Sequence, residues 1–470
     1  MERFQEVCET VLSRVEPTRE DRRRISKLVE DLKAKLGHLA EEEGYDLEVA
    51  LEGSVAKDTW LREDPEADIF LLFPPSIPKR EFRRVSMEIA KKATTGYRQL
   101  ERFAEHPYLE CYVDDVRVNI VPCYKVSRGA WISSTDRTPY HTLYVKSRLN
   151  LRMRRDVRLL KRFMKGIGVY GAEIRVGGFS GYLCELLIIY YGSFHGTLVA
   201  ASEWREKEVV DLEGFYGKKR EKLFERFNRK FIVVDPIDEN RNVAAGVTDE
   251  RFNEFIAASR AFLEKPSVEF FYPPEVKPLT GIDLKEAFRK RGSAFVFVKF
   301  GEVEAVPDVL WGQLYRSLKA ITRKVEESDF QVLRNAVWSR EGKVNVFLFE
   351  IGSRRLPHLK KHVGPPVTKR IDSANFIEKY KGNPQVMSGP YIEGSRWVVW
   401  LKRQYSDVAD FLKAMLKDGG RQLGVASRLS EAFREGFEIL VDNEILEFYF
   451  ANPDFAKFLT EFMRGRPFWL

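Results

Sequence analysis

Two short runs carry the residues most able to do chemistry: Gly53-Ser54, and the acidic pair in Glu66-Ala67-Asp68. In an extended strand, residues two apart project from the same face. Glu66 and Asp68 therefore present two carboxylates side by side. Carboxylates that close repel one another unless a cation lies between them. Two Mg2+ ions bridged in this way can hold a triphosphate and activate a hydroxyl for in-line attack. Mg2+ suits such a site because it takes a few carboxylates together with phosphate oxygens and water. Gly53 lets a phosphate approach the backbone closely, and Ser54 adds a hydroxyl beside the exposed amides of the turn. Lys57 supplies a positive charge just beyond.

Either half is ordinary alone. A Gly-Ser turn after a strand is common, and an acidic-x-acidic pair is usually a solvated strand edge. Together, at a separation of about a dozen residues, they match the signature of the polymerase-β-like nucleotidyltransferases.

The likeness extends further. Gly53-Ser54-Val55-Ala56-Lys57-Asp58-Thr59-Trp60-Leu61, Glu105-His106-Pro107-Tyr108, Val121-Pro122-Cys123-Tyr124-Lys125 and Asp136-Arg137-Thr138-Pro139-Tyr140-His141 lie in the first third. Arg158-Leu159-Leu160-Lys161, Val169-Tyr170-Gly171-Ala172-Glu173, Gly178-Phe179-Ser180-Gly181-Tyr182-Leu183-Cys184-Glu185-Leu186-Leu187, Val234-Asp235-Pro236 and Arg241-Asn242-Val243-Ala244-Ala245 follow. On these runs the chain resembles the archaeal-type (class I) CCA-adding enzymes. The last third resembles them by layout more than by motif.

The resemblance implies roles for matching residues. Glu66 and Asp68 would be metal carboxylates, and Ser54 and Lys57 triphosphate contacts. His141, Lys161 and Tyr170 would bind the incoming CTP or ATP, and Arg241 would take part in base selection. The family usually carries Arg where Lys57 stands; Lys neutralises a phosphate without the bidentate fork. The resemblance also implies a two-metal Mg2+ site, with Mn2+ as a substitute, and stepwise addition of C, C and A to a tRNA 3′ end without a template. Binding to the acceptor stem and T arm of tRNA, and a homodimer, are implied in the same way.

One position departs from the pattern. The family places a third carboxylate on the strand before Val-Pro-Cys-Tyr, where Val116-Arg117-Val118-Asn119-Ile120-Val121 carries Asn119. Asn has nearly the shape of Asp but holds no negative charge and accepts no proton. Asp115 shares its face but lies four residues back, roughly 13 Å along a strand, and is a poor substitute. Three explanations fit: an engineered Asp→Asn that traps substrates and impairs catalysis, a natural enzyme with two carboxylates, or a natural tRNA-binding pseudo-enzyme. A poly(A) polymerase or oligoadenylate synthetase shares the catalytic signature and is the rival enzyme.

Hydrophobic periodicity supplies the elements that must position these groups. It predicts a helix over Thr18–Leu39, strands over Asp46–Glu52, Ala67–Phe73 and Val116–Val121, and a helix over Arg80–Thr94. Residues 1–150 thus read as a mixed-sheet nucleotidyltransferase head in an α+β multidomain chain. Residues 151–264 read as a helical domain completing the nucleotide site, with helices over Asp156–Lys165, Gly181–Tyr191 and Glu250–Leu263. Residues 265–470 read as an α/β tRNA-binding region. There a strand over Ala294–Phe300, a helix over Val309–Val325 and strands over Phe330–Trp338 and Val344–Ile351 suggest a split-βαβ RNA-binding module. His358-Leu-Lys-Lys-His362 would put two imidazoles on one face of a helix, but the lysines and arginines around it favour an RNA-contacting patch over a metal site.

Composition agrees with a polyanionic partner. Lys and Arg number 78 against 70 Asp and Glu, a net charge of +8. The four cysteines, Cys8, Cys111, Cys123 and Cys184, form no CxxC pair and read as thiols of a reducing cytosol. Met1-Glu2-Arg3-Phe4 opens an amphipathic stretch rather than a signal peptide. The longest apolar run, Leu186 to Tyr191, is far short of the ~20 residues of a membrane span. A soluble cytoplasmic protein with no membrane partner is expected.

Overall fold

The computed structural model describes residues 2–103, 106–217 and 221–470. Glu105 of the Glu105-His106-Pro107-Tyr108 run lies outside the described residues. The chain forms two compact units, one reaching to Pro274 and including Pro467–Leu470, the other spanning Glu275–Arg466.

The first unit opens with α1 (Glu2–Val15) and α2 (Arg19–Glu42). Thr18 caps α2 reciprocally with Asp21: Asp21 N–H donates to Thr18 Oγ1 at 3.1 Å, and Thr18 N–H donates to Asp21 Oδ2 at 2.8 Å. Then come β1 (Glu48–Glu52), the short turn of helix α3 (Gly53–Ala56), β2 (Glu66–Phe73), α4 (Lys79–Ala93), β3 (Arg98–Phe103), β4 (Pro107–Val113) and β5 (Val116–Tyr124). The five strands make one sheet in the order β1-β2-β5-β4-β3, with β2 and β5 parallel and the other pairs antiparallel.

Strand parity divides this sheet into two faces. Ala67, Ile69, Leu71 and Phe73 of β2, Val118 and Ile120 of β5, and Leu109 and Cys111 of β4 join the core built on Ile25, Val29, Leu32 and Leu36 of α2 and Phe82 and Ile89 of α4. The alternate residues, Glu66 and Asp68, Arg117 and Asn119, and Glu110, stand on the opposite face. The predicted elements lie where expected, within a few residues at their ends.

The unit continues through α5 (Thr138–Arg148), α6 (Leu151–Gly166), α7 (Gly181–Tyr191), α8 (Phe194–Glu203), β6 (Glu208–Asp211), α9 (Glu221–Phe227), β7 (Phe231–Asp235), β8 (Asp238–Asn242) and α10 (Asp249–Glu264). The segment expected to be helical thus also contains a three-stranded sheet, β6-β7-β8. Its strands are only four or five residues long, and β7 is buried at every position, so it shows no alternation in sequence. Helical periodicity ends at Glu264, yet Phe270 and Phe271 still pack into this unit's core with Phe163 and Phe262.

The second unit runs from α11 (Gly281–Arg291) through β9 (Ala294–Phe300), α12 (Pro307–Glu327), β10 (Val332–Arg340) and β11 (Val344–Ile351). β12 (Leu359–Pro366), α13 (Arg370–Tyr380), β13 (Val386–Glu393) and β14 (Arg396–Lys402) follow, then α14 (Val408–Leu416), α15 (Ser427–Glu435), β15 (Phe437–Val441), α16 (Leu446–Ala451) and α17 (Pro453–Arg464). Strands β10-β11-β9-β15 form an antiparallel sheet, so the β9–α12–β10–β11 order is closed by β15 beside β9.

The helical reading of His358–His362 is corrected. His362 lies in β12, which pairs with β14, and His358 immediately precedes it. Four residues along a strand separate two side chains by roughly 13 Å, so the two imidazoles cannot share one ion. His362 instead stacks on Phe376, with ring centroids 5.8 Å apart.

Among the described residues no single helix is long and apolar enough to cross a membrane. All four cysteines are buried free thiols.

Candidate active site

Glu66 and Asp68 project from β2, which pairs with β5 in parallel register: Glu66 lies opposite Arg117, and Asp68 opposite Asn119. Asn119 Nδ2 donates to Glu66 Oε1 at 2.7 Å and to Asp68 Oδ1 at 2.9 Å. Arg117 donates to the other oxygen of Glu66 at 2.8 Å. Burial pushes the Asp68 carboxyl up to about 7, and the negative charge of Glu66 adds to the rise. Asp115, set aside above as too distant, sits with Asp114 in the left-handed hairpin turn before β5.

The donor set fits a divalent cation. Asn119 Oδ1 is buried without a hydrogen-bond partner. A half-turn of the amide would exchange that oxygen for Nδ2 between the two carboxylates, giving two anionic donors and one neutral donor. Among the described residues no three His, Cys, Asp or Glu side chains converge as a metal-binding group; beside the two carboxylates here stands an amide.

Gly53 brings the turn against this pair. It adopts φ +67°, and a Cβ there would fall 1.9 Å from Asp68 Oδ2. Only glycine permits both. Ser54 follows, half-buried in α3.

Lys57 turns inward. Its Nζ lies 2.5 Å from Glu185 Oε2, with the two side chains 7% and 1% exposed. Thr59 Oγ1 donates to Glu185 Oε1 at 2.5 Å. Lys161 Nζ donates to the Thr59 carbonyl at 3.1 Å and lies 3.6 Å from Glu185 Oε1. Burial pushes Glu185 up, but the ammonium groups of Lys57 and Lys161 hold it below the usual carboxylate range. Burial also lowers Lys161, against the pull of Glu185. Tyr170 reaches the same place: a Cβ on Gly181 would lie 3.0 Å from its hydroxyl and 3.5 Å from Lys161 Nζ.

Asp235, at the end of β7, gathers the remaining candidates. His141 Nε2 lies 2.8 Å from Asp235 Oδ2, and Arg241 donates to the same oxygen at 2.7 Å. Tyr182 donates to Oδ1 at 3.2 Å and packs its ring 4.1 Å from that of His141. Burial holds His141 below the usual imidazole range, against the pull of Asp235. Burial pushes Asp235 up, but the His141 hydrogen bond and the Arg241 charge keep it low. Lys57 links the clusters, lying 5.7 Å from the Tyr182 ring centroid.

The match to known proteins follows this geometry along the chain. Residues 15–141 match the nucleotidyltransferase domain, residues 155–272 the second domain of tRNA nucleotidyltransferase, and residues 291–442 the C-terminal domain of the CCA-adding enzyme. The chain is 36% identical to the CCA-adding enzyme of Methanothermobacter thermautotrophicus over 457 residues, 96% of this chain and 97% of that one. It is 35% identical to that of Methanosarcina acetivorans over 96% of this chain and 97% of the other. It is 34% identical to that of Archaeoglobus fulgidus over 95% and 96% respectively. The chain belongs to the CCA-adding enzyme family.

For a CCA-adding enzyme, two of the best-connected acidic residues here, Glu185 and Asp235, were not singled out from sequence. Both lie inside runs that carry the family resemblance. Glu185 had a readable signal: it is the lone charge in the apolar helix Gly181–Tyr191, and a buried charge requires a partner.

Proposed function

We propose that this CCA-adding enzyme transfers CMP, CMP and AMP from CTP and ATP to the 3′-hydroxyl of tRNA. The observation that carries the reading is the in-register face of Glu66, Asp68 and Asn119 beside a Gly53 that admits no side chain. In each transfer the hydroxyl oxygen bonds to the α-phosphorus, the bond from that phosphorus to the bridging oxygen breaks, and pyrophosphate leaves with the electron pair. The hydroxyl proton passes to water.

Glu66 and Asp68 would hold Mg2+, or Mn2+ in its place, with Asn119 Oδ1 as a neutral third ligand. When bound, the cations would neutralise the triphosphate and lower the pKa of the attacking hydroxyl. Gly53 and Ser54 bring backbone amides and a hydroxyl to the phosphates. The buried cluster of Lys57, Lys161 and Glu185 carries two cations for one anion, and the surplus positive charge favours a triphosphate. His141 and Arg241, oriented by Asp235, present ring nitrogens and guanidinium donors suited to a base edge, and Tyr170 lines the approach. Residues 1–150 act as the catalytic head, 151–264 complete the nucleotide site, and 265–470 bind the acceptor stem and T arm, in a homodimer.

The test is incorporation of labelled CTP and ATP into tRNA lacking its terminal CCA, with Mg2+ present. Addition of C, C and A and then arrest supports the reading. Long A tails from ATP alone would point to a poly(A) polymerase. Tight tRNA binding without incorporation, also after N119D, would leave a tRNA-binding pseudo-enzyme.

A further inference from the structure

The face that carries Glu66 and Asp68 does not end at Asn119. Strand β4 lies on the far side of β5, and its register puts Glu110 directly opposite Asn119. Asp68, Asn119 and Glu110 therefore form one row across β2, β5 and β4, on the face turned away from the hydrophobic core. Directly opposed residues have Cβ atoms roughly 4.5–5.5 Å apart, and a glutamate side chain is long enough to bring its carboxylate beside the residue on the next strand.

Glu110 is an unusual residue for its place. It is 7% exposed, and a buried carboxylate on a strand needs a reason. Arg102 donates to its Oε1 at 2.8 Å; that bond occupies one carboxylate oxygen. The charges of Glu66 and Glu110 both bear on Arg117, and those of Glu66, Asp68 and Glu110 all bear on Tyr108, so these three acids share one neighbourhood. Between Asp68 and Glu110 stands Asn119, 8% exposed, with Oδ1 unpartnered. A buried oxygen without a donor marks a place for a cation or water.

The row also continues to Glu52 on β1, opposite Asp68. Glu52 is two strands from Asn119, roughly 9–10 Å at the usual strand spacing, and the charges that bear on it include Lys57 and Lys146. Glu110 is on the adjacent strand.

We propose that Glu110 supplies, from the neighbouring strand, the third metal-ligating carboxylate that Asn119 lacks. The inference rests on the two-metal nucleotidyl-transfer reading above. Glu110 reaches the site by rotating its side chain away from Arg102, which lies on β3, the strand on the other side of β4. The negative charge has moved one strand along the sheet, and the amide remains as a neutral ligand between the two acids.

Four proteins test this: the unchanged chain, E110Q, N119D and E110Q/N119D. Bound Mn2+ is counted by electron paramagnetic resonance in the presence of a non-hydrolysable CTP analogue, beside CCA incorporation, tRNA affinity and melting temperature. The expected result is that E110Q loses one Mn2+ and roughly 100-fold or more in incorporation, as when one transition-state-stabilising group is removed. E110Q/N119D is expected to regain both, which a merely structural role for Glu110 would not allow. Equal Mn2+ count and rate in E110Q and the unchanged chain would overturn the inference. So would an inactive unchanged chain rescued by N119D, although the two-metal reading would then stand. No incorporation by any of the four, with tRNA still bound, would overturn the reading itself and the inference with it.

Discussion

Glu185 Oε2 lies 2.5 Å from Lys57 Nζ, joining α7 to the turn after β1 across 128 positions of sequence, with both side chains buried. A triphosphate contact expected from the loop motif is thus a member of a buried ion cluster. Breaking it from one side leaves two ammonium groups sharing no anion. E185Q is expected to lose about 3–5 kcal/mol of stability, the usual cost of orphaning a buried charge, measured by denaturant unfolding. The triple change K57M/K161M/E185L, which removes all three buried charges, should restore much of that stability without restoring nucleotide affinity.

Gly53→Ala tests the closeness of the turn to the acidic pair. The added methyl would overlap Asp68 Oδ2, and φ +67° costs an L-residue about 1–2 kcal/mol. The expected outcome is a fall in kcat/KM of roughly 100-fold with the fold retained, read from incorporation kinetics beside a melting curve.

Arg117 competes with any cation for Glu66, at 2.8 Å. R117Q should lower the Mg2+ concentration for half-maximal incorporation several-fold while leaving the tRNA KM in place. A metal titration at fixed tRNA and CTP checks this. An unchanged or higher Mg2+ requirement would make the arginine a supporting partner of Glu66 rather than a competitor.

The Asp235 cluster predicts acid sensitivity. His141 and Asp235 both have pKa values below their ordinary ones in the folded chain. A depressed group binds fewer protons folded than unfolded, so stability rises with pH. The contribution of His141 is complete above ~6.5 and that of Asp235 above ~3.9; each is lost as pH falls below that value. The melting temperature should therefore drop as pH is lowered from about 6.5 to 5, and H141N should flatten that drop.

Sequence carried β1, β2 and β5 of the first sheet, where parity is visible, but not β3 and β4. In Glu66–Phe73 the acids and the core residues alternate, and the helix Gly181–Tyr191 is bounded by a capping Ser180 and a left-handed Gly192. The β6-β7-β8 sheet was hidden because β7 is buried at every position and shows no alternation. His358–His362 misled because a four-residue spacing means one face in both a helix and a strand. Asp235 and Glu185 were passed over because their partners lie far away in sequence: His141 is 94 positions from Asp235, and Lys57 128 from Glu185. Such pairs exist only after folding.

The two-faced character of β2 has a consequence for how faithfully the site is assembled. Sliding β2 by one residue against β5 would carry Ile69 to where Asp68 belongs and drive both acids into the oily side of the sheet. That penalty falls on the fold before it falls on the chemistry. A chain with its carboxylates out of alignment would not persist as a sluggish enzyme; it would fail to fold. The hydrophobic core thus proofreads the acidic pair, and every molecule that passes inspection carries its acids in register.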